Sequence, residues 1–322
     1  MNDLITLSKL DLRVPRWDID RLIPRHCPIC NSEGNAEYVR PDGLVIRYCS
    51  KCGTFFVSPS PSEDLLKEFY KKYFVLHFGR GANFDKKSAK DYSLLNPQSD
   101  LRIRELLSIM NPEQRSVLDV GCGTGITLFG LRKLGARVEG IDLDTDAVNF
   151  VNNELAIKCN YGSVADLEGE FDIIILFDFI EHPLDPLPTL IKCKRMLRPN
   201  GLILIWTPNS TFAHIDNEPI LFRVDLEHMQ YLSLKTCNYL ADLLDLDIVH
   251  LESIGYPSLD GITQCDSKQE KINIIKNIVV HTPVIGAMSK FLYQIANQNA
   301  NSLDERLGRY HLFCILQNKS LE

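Results

Sequence analysis

The 322-residue sequence contains no run of about eighteen apolar residues, the length that a bilayer-spanning helix needs. Its first residues, Met1–Leu10, also lack the basic and apolar segments of a secretory signal peptide. Each absence argues against one class, the first against membrane-spanning proteins and the second against exported ones. The sequence therefore predicts a cytoplasmic chain without a transmembrane segment.

An excess of basic residues is missing as well. The chain has 35 lysines and arginines against 42 aspartates and glutamates, which gives a formal net charge of −7. Nucleic-acid binding draws much of its affinity from neutralising phosphates, so this balance argues against a nucleic acid as the main partner. The length is sufficient for one α/β core and a second, smaller module.

Ten cysteines occur, and four of them form two C-x-x-C pairs: Cys27, Cys30, Cys49 and Cys52. Without an export signal, such pairs indicate a metal site rather than a disulfide framework. Their spacing fits a tetrahedral Zn²⁺ site in which four thiolates leave no position for water, so the predicted zinc is structural. Four buried cysteines without a metal are the alternative. The other cysteines lack ligand spacing and are predicted to be small core residues: Cys122, Cys159, Cys193, Cys237, Cys265 and Cys314.

A strand, a tight turn and a helix are predicted near the middle of the chain. The apolar run Val117–Val120 is followed by three alternate glycines and by helical spacing of apolar residues over Ile126–Leu134. The glycines are Gly121, Gly123 and Gly125. Glycine permits the sharp turn and lets a ligand approach main-chain atoms that a Cβ would shield. We interpret the turn as a cofactor site, with a plain strand-to-helix turn as the alternative. The dinucleotide fingerprint G-x-G-x-x-G is absent, because Ile126 stands at its third glycine.

Further strands and helices alternate beyond this turn. Arg137–Ile141 and Phe171–Phe177 are predicted strands, and the second is a continuous apolar run of the kind buried on both faces of a parallel sheet. Asp142 follows the first strand, where an acidic side chain can accept both hydroxyls of a ribose. The turn Asp178–Pro183 is predicted to begin a helix that runs to residue 197.

The spacing D-x-G-x-G-x-G from Asp119 resembles motif I of class I S-adenosylmethionine-dependent methyltransferases, and Phe171–Asn209 resembles a run of small-molecule methyltransferases in that superfamily. The resemblance implies an α/β fold with a seven-stranded, mostly parallel Rossmann-like sheet. It also implies S-adenosylmethionine as cofactor, with Asp119 at the methionine part, Asp142 at the ribose and Leu143 at the adenine. The positions that it assigns to cofactor binding are Asp119, Gly121, Cys122, Gly123, Gly125, Asp142, Leu143, Ser163, Val164, Phe177 and Asp178.

A second polar cluster lies in the run Asp225–Ser233. It resembles a Tyr-x-Glu-His-x-x-Tyr run of nucleotide-sugar C-methyltransferases that carry an N-terminal zinc module. Glu227, His228 and Tyr231 match this run, while an aspartate replaces its first tyrosine. The resemblance implies acid/base roles for His228 and Glu227, and His182 is a second candidate base. A histidine bonded to the backbone at a loop-to-helix junction is the alternative for His228.

Four segments are expected along the chain. They are an N-terminal arm (1–24), a zinc ribbon (25–61), a helical linker or lid (62–111) and a methyltransferase domain (112–322) with a helical insert (256–309). In the linker, the predicted helix Glu63–Tyr73 carries an aromatic stripe, which is either core or a wall over the cofactor. The insert is expected to pack on the core or against a second copy, so a homodimer is one prediction.

Methyl transfer from S-adenosylmethionine to a small-molecule acceptor is the leading functional hypothesis. The expected acceptor is a sugar or another hydroxylated metabolite, methylated at oxygen or carbon. A zinc-ribbon RNA methyltransferase is the alternative, but the net charge is acidic, and neither an Asn/Asp-Pro-Pro-Tyr run nor a Pro-Cys nucleophile follows Phe171–Phe177. A third hypothesis, a non-catalytic scaffold, would predict a degenerate glycine turn, whereas motif I is intact.

Overall fold

The computed structural model describes residues 17–70, 94, 96–212, 220–223, 226–254 and 310–319, and within these ranges the strands form two sheets. The strands are β1 (Asn35–Val39), β2 (Val45–Tyr48), β3 (Phe55–Val57), β4 (Ser116–Val120), β5 (Arg137–Asp142), β6 (Lys158–Tyr161), β7 (Phe171–Phe177), β8 (Leu197–Pro208), β9 (Gln230–Tyr231), β10 (Leu246–Ile254) and β11 (His311–Asn318). The α-helices are α1 (Glu63–Tyr70), α2 (Leu101–Ile109), α3 (Ile126–Lys133), α4 (Thr145–Asn153), α5 (Leu187–Met196) and α6 (Leu234–Leu244).

The larger sheet has seven strands in the order β10-β11-β8-β7-β4-β5-β6. Neighbouring strands from β8 to β6 are parallel, while β11 runs antiparallel to both β8 and β10. Every residue of β7 is buried, because side chains of α2 pack on one face of the sheet and side chains of α5 and α6 on the other. The predicted seven-stranded, mostly parallel Rossmann-like sheet is confirmed.

The smaller sheet, in the order β1-β2-β3-β9, joins two distant parts of the chain. Strands β1 and β2 form a hairpin, with Val39 opposite Val45. Strand β3 is antiparallel to both β2 and β9, and Phe55 lies opposite Tyr231. The run that carries Glu227 and His228 therefore extends the sheet of the cysteine-rich module.

The helix after β7 begins later than predicted. Helix α5 starts at Leu187, and the residues between Asp178 and Pro186 form an irregular turn. Two prolines in this turn, at positions 183 and 186, account for the difference, since proline has no N–H to donate and the residue before a proline avoids the helical region. The prediction that His182 begins this helix is wrong. Residue 197, the predicted helix end, is the first residue of β8.

Several predictions concern residues outside the described ranges. They are residues 71–93 and 95 of the linker or lid, the helical insert 256–309, Cys265 and the aspartate at 225. Among the residues that the structure does describe, no helix combines the length and the apolar character that a membrane crossing requires.

Candidate active site

Three glycines shape the turn between β4 and α3. Gly121, Gly123 and Gly125 have φ angles of +73°, +50° and +68°, which residues with a Cβ rarely adopt. A Cβ at Gly121 would lie 2.7 Å from the Phe179 ring, whereas a Cβ at Gly123 would meet no atom of the described residues within 4 Å. The main chain at Gly123 can therefore be approached closely by a ligand.

Asp142, the last residue of β5, lies beside this turn. Its Oδ2 accepts a hydrogen bond from the N–H of Gly123 at 2.8 Å, and its Oδ1 accepts one from the N–H of Asp144 at 2.9 Å. Burial raises the pKa of the Asp142 carboxyl, although these amide donors act in the opposite direction. Each carboxylate oxygen retains a second acceptor position. Asp142 can thus accept hydrogen bonds from two ligand hydroxyls, as the sequence predicts for a ribose.

Among the described residues, carboxylates outnumber cations near the turn. Asp119 is buried in β4, and this burial, together with the carboxylates of Asp142 and Asp178, raises its pKa to about 8 against the opposing effect of Arg102. The Arg102 guanidinium in α2 lies 3.5 Å from Asp178 Oδ2 and 4.6 Å from the ring centroid of Phe177. Arg102 was missed by the sequence analysis, because no motif places α2 beside the ends of β4 and β7. Among the described residues, Arg102 faces Asp119 and Asp178 and is also paired with Asp100, so that carboxylates are in excess, a balance suited to a positively charged ligand.

The remaining predicted cofactor residues meet the turn in different ways. The Cys122 side chain points inward, with its Sγ 3.5 Å from Cys159 Sγ, so that only its main chain faces the turn surface. Leu143 is 41% exposed. This exposure argues against a core position and is compatible with packing against an adenine. Ser163 caps a short 3₁₀ turn through the N–H of Ala165, and Val164 is buried within that turn. Their roles in cofactor binding remain predictions.

A second polar group lies at the carboxyl end of β7 and β8. The ligand-type atoms of Glu181, His182 and His228 are all within 4.8 Å of one another, and the two histidine rings meet edge to face at 4.8 Å. Thr207 Oγ1 donates to Glu181 Oε2 at 2.9 Å. The Tyr70 hydroxyl, from α1, lies 2.7 Å from His182 Nδ1. The structure thus brings both predicted histidines together.

Glu181, rather than Glu227, supplies the carboxylate of this group. Glu227 is buried, and its main-chain oxygen accepts a 3.4 Å hydrogen bond from the Tyr70 hydroxyl. Two imidazoles and a carboxylate can exchange a proton with an acceptor, or they can hold a divalent cation, since both are established uses of these side chains. Tyr70 belongs to the aromatic stripe of α1, and this contact places one member of the stripe at the histidines.

One irregular turn connects the glycine turn with Glu181, His182 and His228, which we call the histidine group. The Phe179 ring, which packs over Gly121, belongs to the same turn as His182. The carboxyl ends of parallel strands meet at one edge of a sheet, where ligands bind in open α/β folds. A ligand seated on the glycine turn would therefore lie at the same edge of the sheet as the histidine group.

The four cysteines of the two C-x-x-C pairs converge in the N-terminal module. All four Sγ atoms lie within 4.8 Å of one another, with Cys27 and Cys52 at 3.4 Å and Cys30 and Cys49 at 3.3 Å. Sulfurs about 2.3 Å from a tetrahedral Zn²⁺ are about 3.8 Å apart. The cluster therefore has the composition and size of a four-thiolate zinc site. Of the other cysteines, the five that the structure describes are buried, as predicted: Cys122, Cys159, Cys193, Cys237 and Cys314.

Comparison with known proteins agrees with this geometry. Residues 96–251 match a family model described as a methyltransferase domain. A ubiquinone biosynthesis O-methyltransferase of Colwellia psychrerythraea is 35% identical over 104 residues, which are 30% of this chain and 42% of the relative. The protein of the same name from Haemophilus ducreyi is 33% identical over 138 residues, or 38% of this chain and 57% of the relative. The chain thus spans about half the length of these curated relatives.

Among solved structures, an S-adenosylmethionine-dependent methyltransferase from Archaeoglobus fulgidus has a TM-score of 0.46 and 19% identity, covering 77% of this chain and all of its own. The family match spans the glycine turn, the carboxylates around it and both histidines. Residues 96–251 of this chain therefore match a methyltransferase domain in sequence, and they build most of the seven-stranded, mostly parallel sheet described above.

Proposed function

We propose that this protein transfers a methyl group from S-adenosylmethionine to a hydroxyl of a small molecule. The observation that carries the proposal is the open approach to Gly123 beside the Asp142 carboxylate, next to a histidine pair. The relatives named ubiquinone biosynthesis O-methyltransferase support methylation at oxygen. The acceptor class in this proposal is a sugar or another hydroxylated metabolite.

The residues around the glycine turn fit S-adenosylmethionine in shape and in charge. Asp142 would accept the ribose hydroxyls, and the main chain at Gly123 gives room for close approach. The ligand brings a sulfonium and an ammonium against one carboxylate, and this net positive charge suits a site where the described carboxylates outnumber the cations. When bound, it supplies an electrophilic methyl group.

His228 is the proposed general base. A hydroxyl acceptor must lose its proton as its oxygen attacks, and an imidazole titrates close to neutral pH. His182 lies against the His228 ring and is itself held by the Tyr70 hydroxyl. The Glu181 carboxylate, fixed by Thr207, can stabilise the imidazolium that forms. These contacts hold the base in place while the acceptor binds between it and the glycine turn.

Cofactor binding is the first test of this proposal. Calorimetric titration should show binding of S-adenosylmethionine and S-adenosylhomocysteine to the folded protein. Asp142→Ala should weaken both by at least about tenfold, because it removes charged hydrogen bonds worth about 1.5–3 kcal/mol. Gly123→Val should do the same by filling the approach to the main chain. Absence of binding by well-folded wild-type protein would refute the enzyme proposal.

Binding of S-adenosylmethionine should also release a proton from Asp119. With a pKa of about 8 this carboxyl is largely protonated at pH 7, and a nearby sulfonium favours its ionised form. Titrations at pH 7 in buffers of different ionisation enthalpy should show release of up to about 0.9 proton. S-Adenosylhomocysteine, which has no sulfonium, should release less, and Asp119→Asn should release none. Equal release for the two ligands would contradict the charge argument.

We also propose that Cys27, Cys30, Cys49 and Cys52 hold a structural Zn²⁺. Four sulfurs gathered within 4.8 Å support this, because thiolates repel one another unless a cation binds them. A closed shell of four thiolates gives the ion no open position for catalysis. The metal would stabilise a module whose own hydrophobic core is small.

A further inference from the structure

We infer that Arg40, in the cysteine-rich module, is a positioning residue for His228, so that this module is a working part of the acceptor site. The inference rests on the proposed function, which makes His228 the base. It goes further in naming how a residue of the cysteine-rich module, 188 positions earlier in the chain, fixes that base. Three sets of contacts carry it.

The first set belongs to Arg40 itself, whose side chain is fully buried. Its Nη1 donates to the carbonyl of His228 at 2.6 Å, and its Nη2 donates to the carbonyl of Leu226 at 2.5 Å. Nη1 also lies 3.2 Å from the Tyr231 hydroxyl. One planar guanidinium thus binds three points of a six-residue run, which its fixed fork of donors permits.

The charge of Arg40 is balanced inside its own module. Asp42, two residues later at the hairpin turn, pairs with the same guanidinium through two hydrogen bonds. A buried cation without partners would be very unfavourable, so Asp42 and the two carbonyls together explain how Arg40 is tolerated. The Asp42 carboxylate accepts from Nε and Nη2 of Arg40, while Nη1 and Nη2 also donate to carbonyls of the run 226–231.

The second set comes from Arg25, which binds the next carbonyl of the same run. Its Nη2 donates to the carbonyl of Met229 at 2.6 Å, its Nε donates to the carbonyl of Val57, and its Nη1 donates to the carbonyl of Leu184. The third set of contacts is the pairing of β3 with β9. Beside it, the N–H of Val57 donates to the Met229 carbonyl at 2.9 Å. The carbonyls of residues 226, 228 and 229 are therefore all bound by the module.

These contacts determine which way His228 can face. Its carbonyl is bound on the module side by Arg40, while Met229 N–H donates to the Glu181 carbonyl at 2.8 Å on the other side. With the main chain fixed on both sides, the imidazole stays against His182 and Glu181. Loss of Arg40 would leave two buried carbonyls without their donor, and the run 226–231 would loosen.

The matched control for this test is Arg47. It lies in the same module and is half-buried, but its hydrogen bonds run to the carbonyls of Ser58 and Gly34 and stay within the module. Arg40→Ala and Arg47→Ala can therefore be compared by hydrogen exchange and by NMR of ¹³C-labelled histidines, with His228→Gln used to assign the ring signal. Binding of S-adenosylhomocysteine is measured on every variant.

In Arg40→Ala, amide exchange over 226–231 should accelerate by at least about tenfold, and the His228 ring signal should shift. In Arg47→Ala both should stay as in the wild type, and His250, on β10, should be unchanged throughout. Binding of S-adenosylhomocysteine should remain within about twofold, since the glycine turn is untouched. Wild-type exchange and an unshifted His228 signal in folded Arg40→Ala would overturn the inference.

Two milder variants keep the test decisive if Arg40→Ala does not fold. Arg40→Lys retains the charge opposite Asp42 but has one nitrogen, which cannot serve both carbonyls and the hydroxyl as the guanidinium does. Tyr231→Phe removes only the contact on the loop side. A shifted His228 signal in both variants would support the inference, and an unshifted signal in both would refute it. Failure of the wild type to bind S-adenosylhomocysteine would instead refute the proposed function.

Discussion

Removal of zinc is expected to unfold the smaller sheet while the larger sheet stays folded. The protein should be purified with one zinc per chain, and a strong chelator at pH 7 should extract it. Apparent metal-binding free energies of about 10–16 kcal/mol in zinc-finger peptides are folding free energy, so a small module loses its fold with its metal. Zinc release can be followed colorimetrically and the two sheets by hydrogen exchange of their peptides.

Protection should be lost in β1, β2 and β3 and also in β9, which has its ladder partner in β3. Protection in β4 and β7 should remain, because those strands lie within the larger sheet and its two hydrophobic faces. Cys49→Ser should reproduce the loss without chelator, whereas Cys193→Ala, a buried cysteine outside the cluster, should keep its zinc. Purified protein that contains no zinc and has the four cysteines of the cluster joined in disulfides would contradict the metal site.

The larger sheet could be predicted because its signals are local in sequence. An apolar run such as Phe171–Phe177 is buried on both faces only in the middle of a parallel sheet. The alternate glycines mark a turn that other residues would strain, and all three have positive φ. Asp142 was predicted at a strand end, and the structure places it on the N–H of Gly123. Each of these inferences needed only neighbouring residues.

The surroundings of His228 could not be predicted in that way. Strand β9 is two residues long and pairs with a strand far earlier in the chain, and no periodicity can emerge from so short an element. Arg40 lies between a strand and a turn, and Arg102 lies in a helix. An isolated arginine in either place is usually interpreted as a solvent-exposed side chain. Their roles depend on partners that only the tertiary fold brings together. The late start of α5 was a different error, since its prolines were visible in the sequence.

Replacement of His228 by glutamine is expected to lower the rate of methyl transfer by about 10²–10⁴-fold, the usual contribution of a general base. Glutamine keeps hydrogen-bonding capacity but cannot take a proton at neutral pH. The affinity for S-adenosylhomocysteine should stay unchanged, because His228 belongs to the histidine group and not to the glycine turn. The rate is measured as labelled methyl transferred from S-adenosylmethionine to a panel of sugars and hydroxylated aromatic compounds. Structured RNA is tested in parallel as the alternative acceptor.

His182→Gln is the comparison that identifies the base. His182 lies edge to face with His228 at 4.8 Å and 2.7 Å from the Tyr70 hydroxyl, so its replacement should disturb positioning and cost less than loss of His228. If the group held a divalent cation instead, Glu181→Gln would be as damaging as His228→Gln, and a chelator too weak to extract the cysteine-bound zinc would abolish transfer. Full activity of His228→Gln would exclude it as the base, and methylation of RNA alone would refute the small-molecule acceptor.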